Sequence, residues 1–259
     1  MIYDLQKPTF WKRFSAYLLD IVLVITLAIG FAAIVSEVVS FDQKLEKLEG
    51  YYAEYSKKYD IDLEITTEEF NKLSKEEQDV YAEADKAFRS DEKVVAAYTL
   101  IFNLVLIIAA IGILLAVLCW EFIIPLFLKN GETVGKKIFG IAVMRTNGVK
   151  ISTLQLFVRA ILGKYTFEIM LPVFAVILVV FANMSLFGVV VLGVLAIAQV
   201  VALIATRNTR QALHDLLSDT VTVDLASQLI FDTEEELIKY KEEQHAKMVE
   251  RSQIGRAHV

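Results

Sequence analysis

Residues 11–37 decide the fold, and they read WKRFSAYLLDIVLVITLAIGFAAIVSE: two cations precede a long apolar run. Crossing a bilayer takes roughly 20 helical residues, so this run predicts a transmembrane helix with Trp11 at headgroup depth. Asp20 interrupts the run, and a carboxylate at that depth is expected to be protonated or to meet a cation. Arg13 lies seven residues earlier, roughly 10 Å along a helix axis, so both side chains need partners on other helices.

The composition extends this prediction to several helices. The 259 residues are 56% hydrophobic, the mean hydropathy is +0.50, and the apolar residues concentrate at 14–36, 94–128 and 169–206. The last block is uncharged and, at about 1.5 Å per residue, is long enough for two crossings around a turn at Asn183-Met184-Ser185. We therefore predict an all-α membrane protein with four transmembrane helices.

Charge is segregated between the polar segments. Acidic residues outnumber basic ones in the insert 37–93, whereas segment 129–164 is rich in Lys and Arg and has Glu132 as its only acidic residue. The positive-inside rule then predicts that the insert is extracytoplasmic and that 129–164 and both chain termini are cytoplasmic. The basic side chains are expected to contact anionic lipid headgroups at the inner surface.

The insert carries helical signals. Thr66–Glu69 and Ser74–Glu77 have capping-box spacing, and a tyrosine at every fourth position predicts an aromatic stripe along one helix. The stripe is either a packing surface between helices or a ligand platform, and its members are Tyr51, Tyr55 and Tyr59. We predict two or three helices that continue the flanking spans outward.

Strand signals follow in the cytoplasmic part. Gly140–Val143 and Val149–Ile151 flank Asn147-Gly148, a pair typical of tight turns, and together they predict a small cytoplasmic β-hairpin. Segment 220–223 alternates Thr and Val and is expected to add a strand. A charged, exposed helix is predicted for 233–252, with its first residue as the N-cap.

These signals give a predicted division of the chain. It comprises the N-terminus and first helix (1–36), the insert (37–93), the second helix with an inner-surface segment (94–128), the basic segment with the hairpin (129–164), the third and fourth helices (165–206), and a cytoplasmic amphipathic segment and tail (207–252). Residues 253–259, QIGRAHV, match a reading frame of a common sequencing adapter. We expect those seven residues to carry no information on fold or function.

Motifs for catalysis and metal binding are missing from the sequence. Segment 131–137 has three residues between its glycines, where a phosphate loop needs four, and its glycines instead predict a tight turn. The single Cys119 permits no paired-cysteine site, and His214 beside Asp215 lacks a nucleophile for a triad. We expect no enzymatic activity, no cofactor, no bound metal and no nucleic-acid partner.

Three groups of residues resemble the RDD family of bacterial membrane proteins, which is named for an arginine and two aspartates. The first is Arg13 with Asp20, and the second is Arg210-x-x-x-His214-Asp215. The third comprises Gly131, Thr133, Gly135, Lys136, Gly140, Gly148, Ser152 and Arg159. The resemblance implies a multi-pass protein of the bacterial cytoplasmic membrane. Some members of that family are linked to sodium–proton exchange and others to regulation of membrane proteases.

Six charged residues are expected near the inner end of the helix bundle, namely Arg13, Asp20, Glu121, Arg159, Glu168 and Asp215. One interpretation is that they pair across helices and fix the bundle. A second is that they bind a transported monovalent cation, proton or small solute. A third is that the protein is a non-catalytic accessory that binds a protein partner, or a second copy of itself, through 37–93 or 225–252.

Overall fold

The structure, a computed structural model, describes residues 5–181, 186–206, 209 and 211–257. In chain order the helices are α1 (Phe10–Val38), α2 (Phe41–Tyr59), α3 (Thr67–Phe70), α4 (Lys75–Ser90), α5 (Glu92–Val117), α6 (Ile124–Phe127), α7 (Val134–Ile138), α8 (Thr153–Val158), α9 (Leu171–Phe181), α10 (Leu186–Ala205), α11 (Leu213–Leu217) and α12 (Glu234–Ala257). Two strands, β1 (Ile141–Arg145) and β2 (Thr220–Asp224), and two π-helical segments, π1 (Leu118–Ile123) and π2 (Arg159–Met170), complete the described elements. The chain divides into two units, one formed by residues up to Leu27 with those from Leu114 onward, the other by Ala28–Ile113.

Three of the described helical runs are long and apolar enough to cross a membrane: Phe10–Val38, Glu92–Phe127 and Thr153–Ile177. The shorter apolar helix α10 follows. Many of their Val, Ile and Leu side chains are exposed, as expected for surfaces that face lipid rather than water. These helices give the chain the character of a membrane protein, whereas the predicted turn at 183–185 lies outside the described residues.

The third long helix begins earlier than the charge pattern predicts. It starts at Thr153 rather than near Ile169, because Ser152 and Gln155 form a reciprocal capping box at its N-terminus. Arg159 and Lys164 therefore lie inside the helical run rather than in the preceding segment. Both side chains are accommodated because they meet buried carboxylates, as described below.

π-Helical turns widen the second and third long helices. π1 joins α5 to α6, and π2 joins α8 to α9, so each run is continuous. The segment 123–128, predicted to lie along the inner surface, instead continues the second helix through Phe127. Pro125 is tolerated there because it falls in the first turn of α6. π-Turns are rare and recur at functional sites.

The unit Ala28–Ile113 contains the insert, and its helical prediction is confirmed. The capping boxes at Thr66 and Ser74 both form, and they start α3 and α4. Leu63, Ala84 and Phe88 are buried with Val94 in a small core. The tyrosines pack against this core, which identifies the stripe as a packing surface; they are Tyr51, Tyr52, Tyr55 and Tyr59, with Tyr81.

The sheet corrects the predicted hairpin. β1 pairs antiparallel with β2, from Ile141 opposite Asp224 to Arg145 opposite Thr220. The turn at Asn147-Gly148 does form, but its returning arm contributes a single bridge, Met144 to Lys150. The arm is short because Ser152 begins α8 two residues later, so the distant β-branched segment 220–224 supplies the second strand.

The C-terminal part agrees with prediction in its main features. Thr233 accepts from the Glu236 amide across 3.2 Å and begins α12, which is mostly exposed. The helix runs to Ala257 and so extends beyond the predicted end at 252. The amphipathic segment predicted after the last apolar helix contains one short helix, α11, which covers Leu213–Leu217.

Candidate functional site

Asp20 anchors the site, and its carboxylate is 95% buried on α1, since the residue is only 5% exposed. Oδ1 accepts from the indole Nε1 of Trp120 and from the Gly135 amide, each across 2.9 Å. Oδ2 accepts from the Thr133 hydroxyl across 2.5 Å. The sequence analysis expects Asp20 to be protonated or to meet a cation. The hydrogen-bond partners of Asp20 among the described residues are instead three neutral donors. Trp120 is itself buried where it donates to this carboxylate.

The glycine-rich segment is shaped to meet Asp20. Thr133 caps α7 by accepting from the Lys136 amide across 3.4 Å while its hydroxyl donates to Asp20. A Cβ on Gly135 would lie 2.5 Å from the Ala16 carbonyl oxygen and 2.8 Å from Asp20 Cγ, so only glycine fits. The predicted tight turn is present at Gly131, whose φ is +62°. The other two motif glycines, Gly140 and Gly148, also have positive φ and flank β1 rather than the charged site.

Glu121 forms the second centre, on π1. Its carboxylate is buried and pairs with Lys136 Nζ at 3.4 Å and with Lys164 Nζ. Burial lowers the pKa of Lys136 to about 8, although the Glu121 charge opposes this change, and Lys164 and Arg159 reinforce it. One buried carboxylate is therefore shared by two ammonium groups, and one of them lies close to its titration point at neutral pH.

Asp215 forms the third centre, on α11. It pairs with Arg159 from π2, and both side chains are about 4% exposed. Arg159 also donates to Thr220 Oγ1 on β2 across 2.9 Å, and the Ala212 amide donates to Asp215 across 3.1 Å. Burial acts to raise the pKa of Asp215, but Arg159 and His214 outweigh it and hold that pKa at about 2. Together with the hydrogen bond to Thr220, this ion pair holds the first residue of β2 against the third long helix.

His214 links the third centre to Glu168. Its Nδ1 lies 2.6 Å from Glu168 Oε1, and its Nε2 lies 3.7 Å from Asp215 Oδ2. Residue 163 must be a glycine for His214 to lie this close to π2, because a Cβ on Gly163 would lie 2.7 Å from His214 Cα. Burial lowers the pKa of His214, partly offset by Asp215. The imidazole is therefore neutral at pH 7.

The N-terminus of α1 is held by β2. Arg13 donates to the Thr222 carbonyl across 3.0 Å, and Lys12 Nζ pairs with Asp224 at 2.6 Å. Arg13 therefore contacts the backbone of β2 rather than Asp20, which lies seven residues later on α1. This agrees with the expectation that the side chains of Arg13 and Asp20 each have their partners on other elements. These contacts tie the start of the first long helix to the sheet.

The three centres face one open cavity of about 200 Å³, large enough for several water molecules. Among the described residues, its charged lining comprises four cations and three carboxylates: Arg13, Lys136, Arg159, Lys164, Asp20, Glu121 and Asp215. His214 lines the same cavity. Glu168, which binds His214, lines a second and less polar cavity together with Gln199. Five of the six charged residues singled out in the sequence thus line one cavity, whereas Glu168 lines the second cavity and reaches the first only through His214.

Several members of the site are not among the residues predicted from the sequence. Trp120 and Lys164 are recognisable only once the helices are packed, and His214 has a binding partner, Glu168, that is 46 residues away. Arg210 of the expected family pattern lies outside the described residues. Across the described part of the chain, no three His, Cys, Asp or Glu side chains converge in a way suited to a metal ion.

Comparison with known proteins identifies the family of the chain. A model of the RDD family matches residues 7–219. No curated protein and no solved structure matches the chain. The matched region holds Asp20, the glycine-rich segment, Arg159 and Asp215, which are the residues that build the cavity. Since the match spans well over half of the sequence, the protein belongs to the RDD family.

Proposed function

We propose that this protein exchanges a monovalent cation for a proton at the cavity that contains Asp20, Glu121 and Lys136. It does so as a four-span protein of a bacterial cytoplasmic membrane with both termini inside. The observation that carries the proposal is Lys136, a buried ammonium in an open, water-sized cavity, whose pKa is lowered to about 8. A group that loses its proton near neutral pH is suited to proton exchange.

Charge balance supports exchange rather than simple binding. Among the described residues, the lining holds one more cation than carboxylates, so an entering cation is repelled unless a positive charge leaves. Loss of the Lys136 proton removes that charge and frees one side of Glu121, which keeps Lys164. The entering cation then occupies the position that the ammonium proton vacates, and the net charge of the cavity is unchanged.

Asp20 supplies the second carboxylate for the cation. A carboxylate offers about four acceptor positions, and three of them are taken by the Trp120, Thr133 and Gly135 donors. Because Asp20 lines the cavity, the remaining position is available to a cation. The neutral donors hold the carboxylate in place while leaving its charge unmatched by an ion pair among the described residues.

The proposal is tested with purified protein in liposomes that enclose a pH indicator. An imposed Na⁺ gradient should drive proton movement in the wild type, with K⁺ and Li⁺ as alternative cations. Lys136→Met should abolish the coupled proton movement. Lys137→Met is the matched control, because Lys137 is the exposed neighbour on the same helix. Absence of cation-driven proton movement in the wild type with all three cations would refute the proposal.

Asp20→Asn separates transport from structural support. An asparagine Oδ1 still accepts from Trp120 and Gly135, and its Nδ2 can donate to Thr133, whose hydroxyl both donates and accepts. The variant should keep its thermal stability in detergent within about 1 kcal/mol and lose exchange. Asp79→Asn, at an exposed insert position, should change neither property. Retained exchange in Asp20→Asn would remove Asp20 from the cation site.

A second candidate function is that of a non-catalytic accessory protein that binds a protein partner. The observation in its favour is that the insert forms its own core around Phe88, as a recognition element would. Replacing residues 42–91 with a short flexible linker distinguishes the two functions. Exchange that survives this replacement supports transport by the remaining chain, whereas a wild type without exchange favours the accessory role.

A further inference from the structure

His214 and Glu168 lie where the charged cavity meets the second cavity. Glu168 is a carboxylate and can only accept, so the Nδ1 of the neutral imidazole carries the proton and donates across 2.6 Å. Nε2 then holds a lone pair, and it points toward Asp215 Oδ2 at 3.7 Å. Two acceptors therefore face each other across a gap that is too long for a hydrogen bond.

We propose that Nε2 of His214 is a second proton-binding site, separate from Lys136, and that its occupation expels the monovalent cation from the charged cavity. The inference rests on the proposed cation–proton exchange and identifies its acid inhibition. A proton that enters from cavity water binds the Nε2 lone pair, and the neutral imidazole becomes an imidazolium. Nδ1–H continues to donate to Glu168, and the new Nε2–H faces Asp215. No other bond forms or breaks.

The surrounding charges determine when this site fills. Its own helix α11 contributes Asp215, and π2 contributes Glu168, Lys164 and Arg159. Glu121, Lys136, Asp20 and Arg13 line the same cavity, and the described side chains of α10 contribute the uncharged Gln199, which accepts from the Leu213 amide. Burial lowers the pKa of His214 below its ordinary value, so the site is empty at pH 7 and fills at lower pH.

Occupation of the site acts on the cation through repulsion. The imidazolium adds one positive charge to a cavity of about 200 Å³ that already has an excess of cations. At an effective dielectric constant of about 20, a second unit charge about 12 Å from the cation weakens its binding about tenfold, and a closer charge weakens it more. This effect adds to direct competition from the Lys136 proton, which is already bound throughout the acid range.

The ring itself provides the first readout. The chain has three histidines, so the ¹⁵N-histidine NMR spectrum of detergent-solubilised protein is simple, and His214→Gln identifies the His214 signals. These should show Nδ1 protonated at pH 7.5 and proton uptake at Nε2 below pH 6.5. Glu168→Gln should move that uptake to lower pH, because it removes one carboxylate from beside the imidazolium. A ring that stays neutral down to the acid limit of folding would overturn the proposal.

Cation binding provides the second readout. Na⁺ affinity, measured by calorimetry, should fall between pH 7 and pH 5 by about tenfold more in the wild type than in His214→Gln. His245→Gln, at an exposed position of α12, should behave as the wild type. An unchanged pH dependence in His214→Gln would overturn this inference alone. A wild type that binds neither Na⁺ nor K⁺ at any pH would overturn both the exchange function and this inference.

If His214→Gln does not fold, Glu168→Gln takes its place in the same measurement. A fall in Na⁺ affinity between pH 7 and pH 5 that equals the fall in the wild type would overturn the proposal, and a smaller fall would support it.

Discussion

The backbone amide of Gly135 donates to Asp20 Oδ1 across 2.9 Å and joins helix α7 to the first long helix. The same glycine lies so close to Ala16 that no side chain fits between them. The glycine-rich segment therefore packs closely against α1. The residue that follows Gly135 in the segment is Lys136, whose ammonium lies 3.4 Å from Glu121.

Gly135→Ala should destabilise the protein by about 2 kcal/mol, because the added Cβ would lie 2.5 Å from the Ala16 oxygen and force the two helices apart. The measurement is thermal unfolding in detergent. Gly50→Ala serves as the control, since a Cβ there meets nothing within 4 Å. In the middle of α2 it should stabilise the helix by up to about 1 kcal/mol. Equal behaviour of the two variants would contradict the close approach at Gly135.

Glu121→Gln should destabilise the protein by about 3–5 kcal/mol, because it leaves the Lys136 and Lys164 ammonium groups buried without their shared anion. The double variant with Lys164→Gln removes one of these cations and should recover part of the loss. Unfolding of the two variants is compared with that of Glu83→Gln, at an exposed position of α4, which should resemble the wild type. Additive losses in the double variant would argue against the pairing.

Acid should destabilise the protein through Asp215. Its pKa is lowered to about 2 in the folded chain, so its stabilising effect is complete above the ordinary range near pH 4. That effect is lost as the pH falls from about 4 to about 2, and it amounts to about 2 kcal/mol. Unfolding midpoints measured across this range should fall more steeply in the wild type than in Asp215→Asn. Parallel curves would mean that the ion pair with Arg159 does not stabilise the fold.

Topology is tested by cysteine labelling in intact cells, in a variant in which the native Cys119 is replaced by alanine. An impermeant maleimide should modify a cysteine at Ala53, in the insert, without permeabilisation. It should reach a cysteine at Asn147, in the turn after β1, only after permeabilisation. Both positions are exposed in the structure. The reverse pattern would invert the orientation and with it the side from which the cavity opens.

The sequence predicts those features that depend on local periodicity and charge. The apolar run around Asp20 predicts α1, and the capping boxes at Thr66 and Ser74 predict the starts of α3 and α4 within one residue. Segregation of the charged residues also predicts that Asp20, Glu121, Arg159 and Asp215 converge. These signals are readable because each depends on neighbours only a few residues away or on a costly charge in an apolar run.

Features that depend on long-range packing cannot be predicted from local sequence patterns. A π-turn has no sequence signature, so neither the widening at 118–123 nor that at 159–170 is predicted, although together they carry Glu121, Arg159 and Glu168. The partner of β1 is misassigned because an Asn-Gly turn favours a local hairpin. α8 begins immediately after the turn and leaves too few residues for a second strand there, so β1 pairs with β2 instead.

The pairing of β1 with β2 has a consequence for the order of events during synthesis. The strands are separated by 75 positions, from Arg145 to Thr220, and the third and fourth apolar helices lie between them. At the usual pace of translation, β1 waits roughly 4–15 s for its partner to leave the ribosome. Arg159 is threaded toward the bilayer during that interval, before Asp215 exists to neutralise it. The charged cavity can therefore be completed only after residue 215 has been synthesised. A nascent chain stalled before residue 215 would present Arg159 to the insertion machinery without its carboxylate partner.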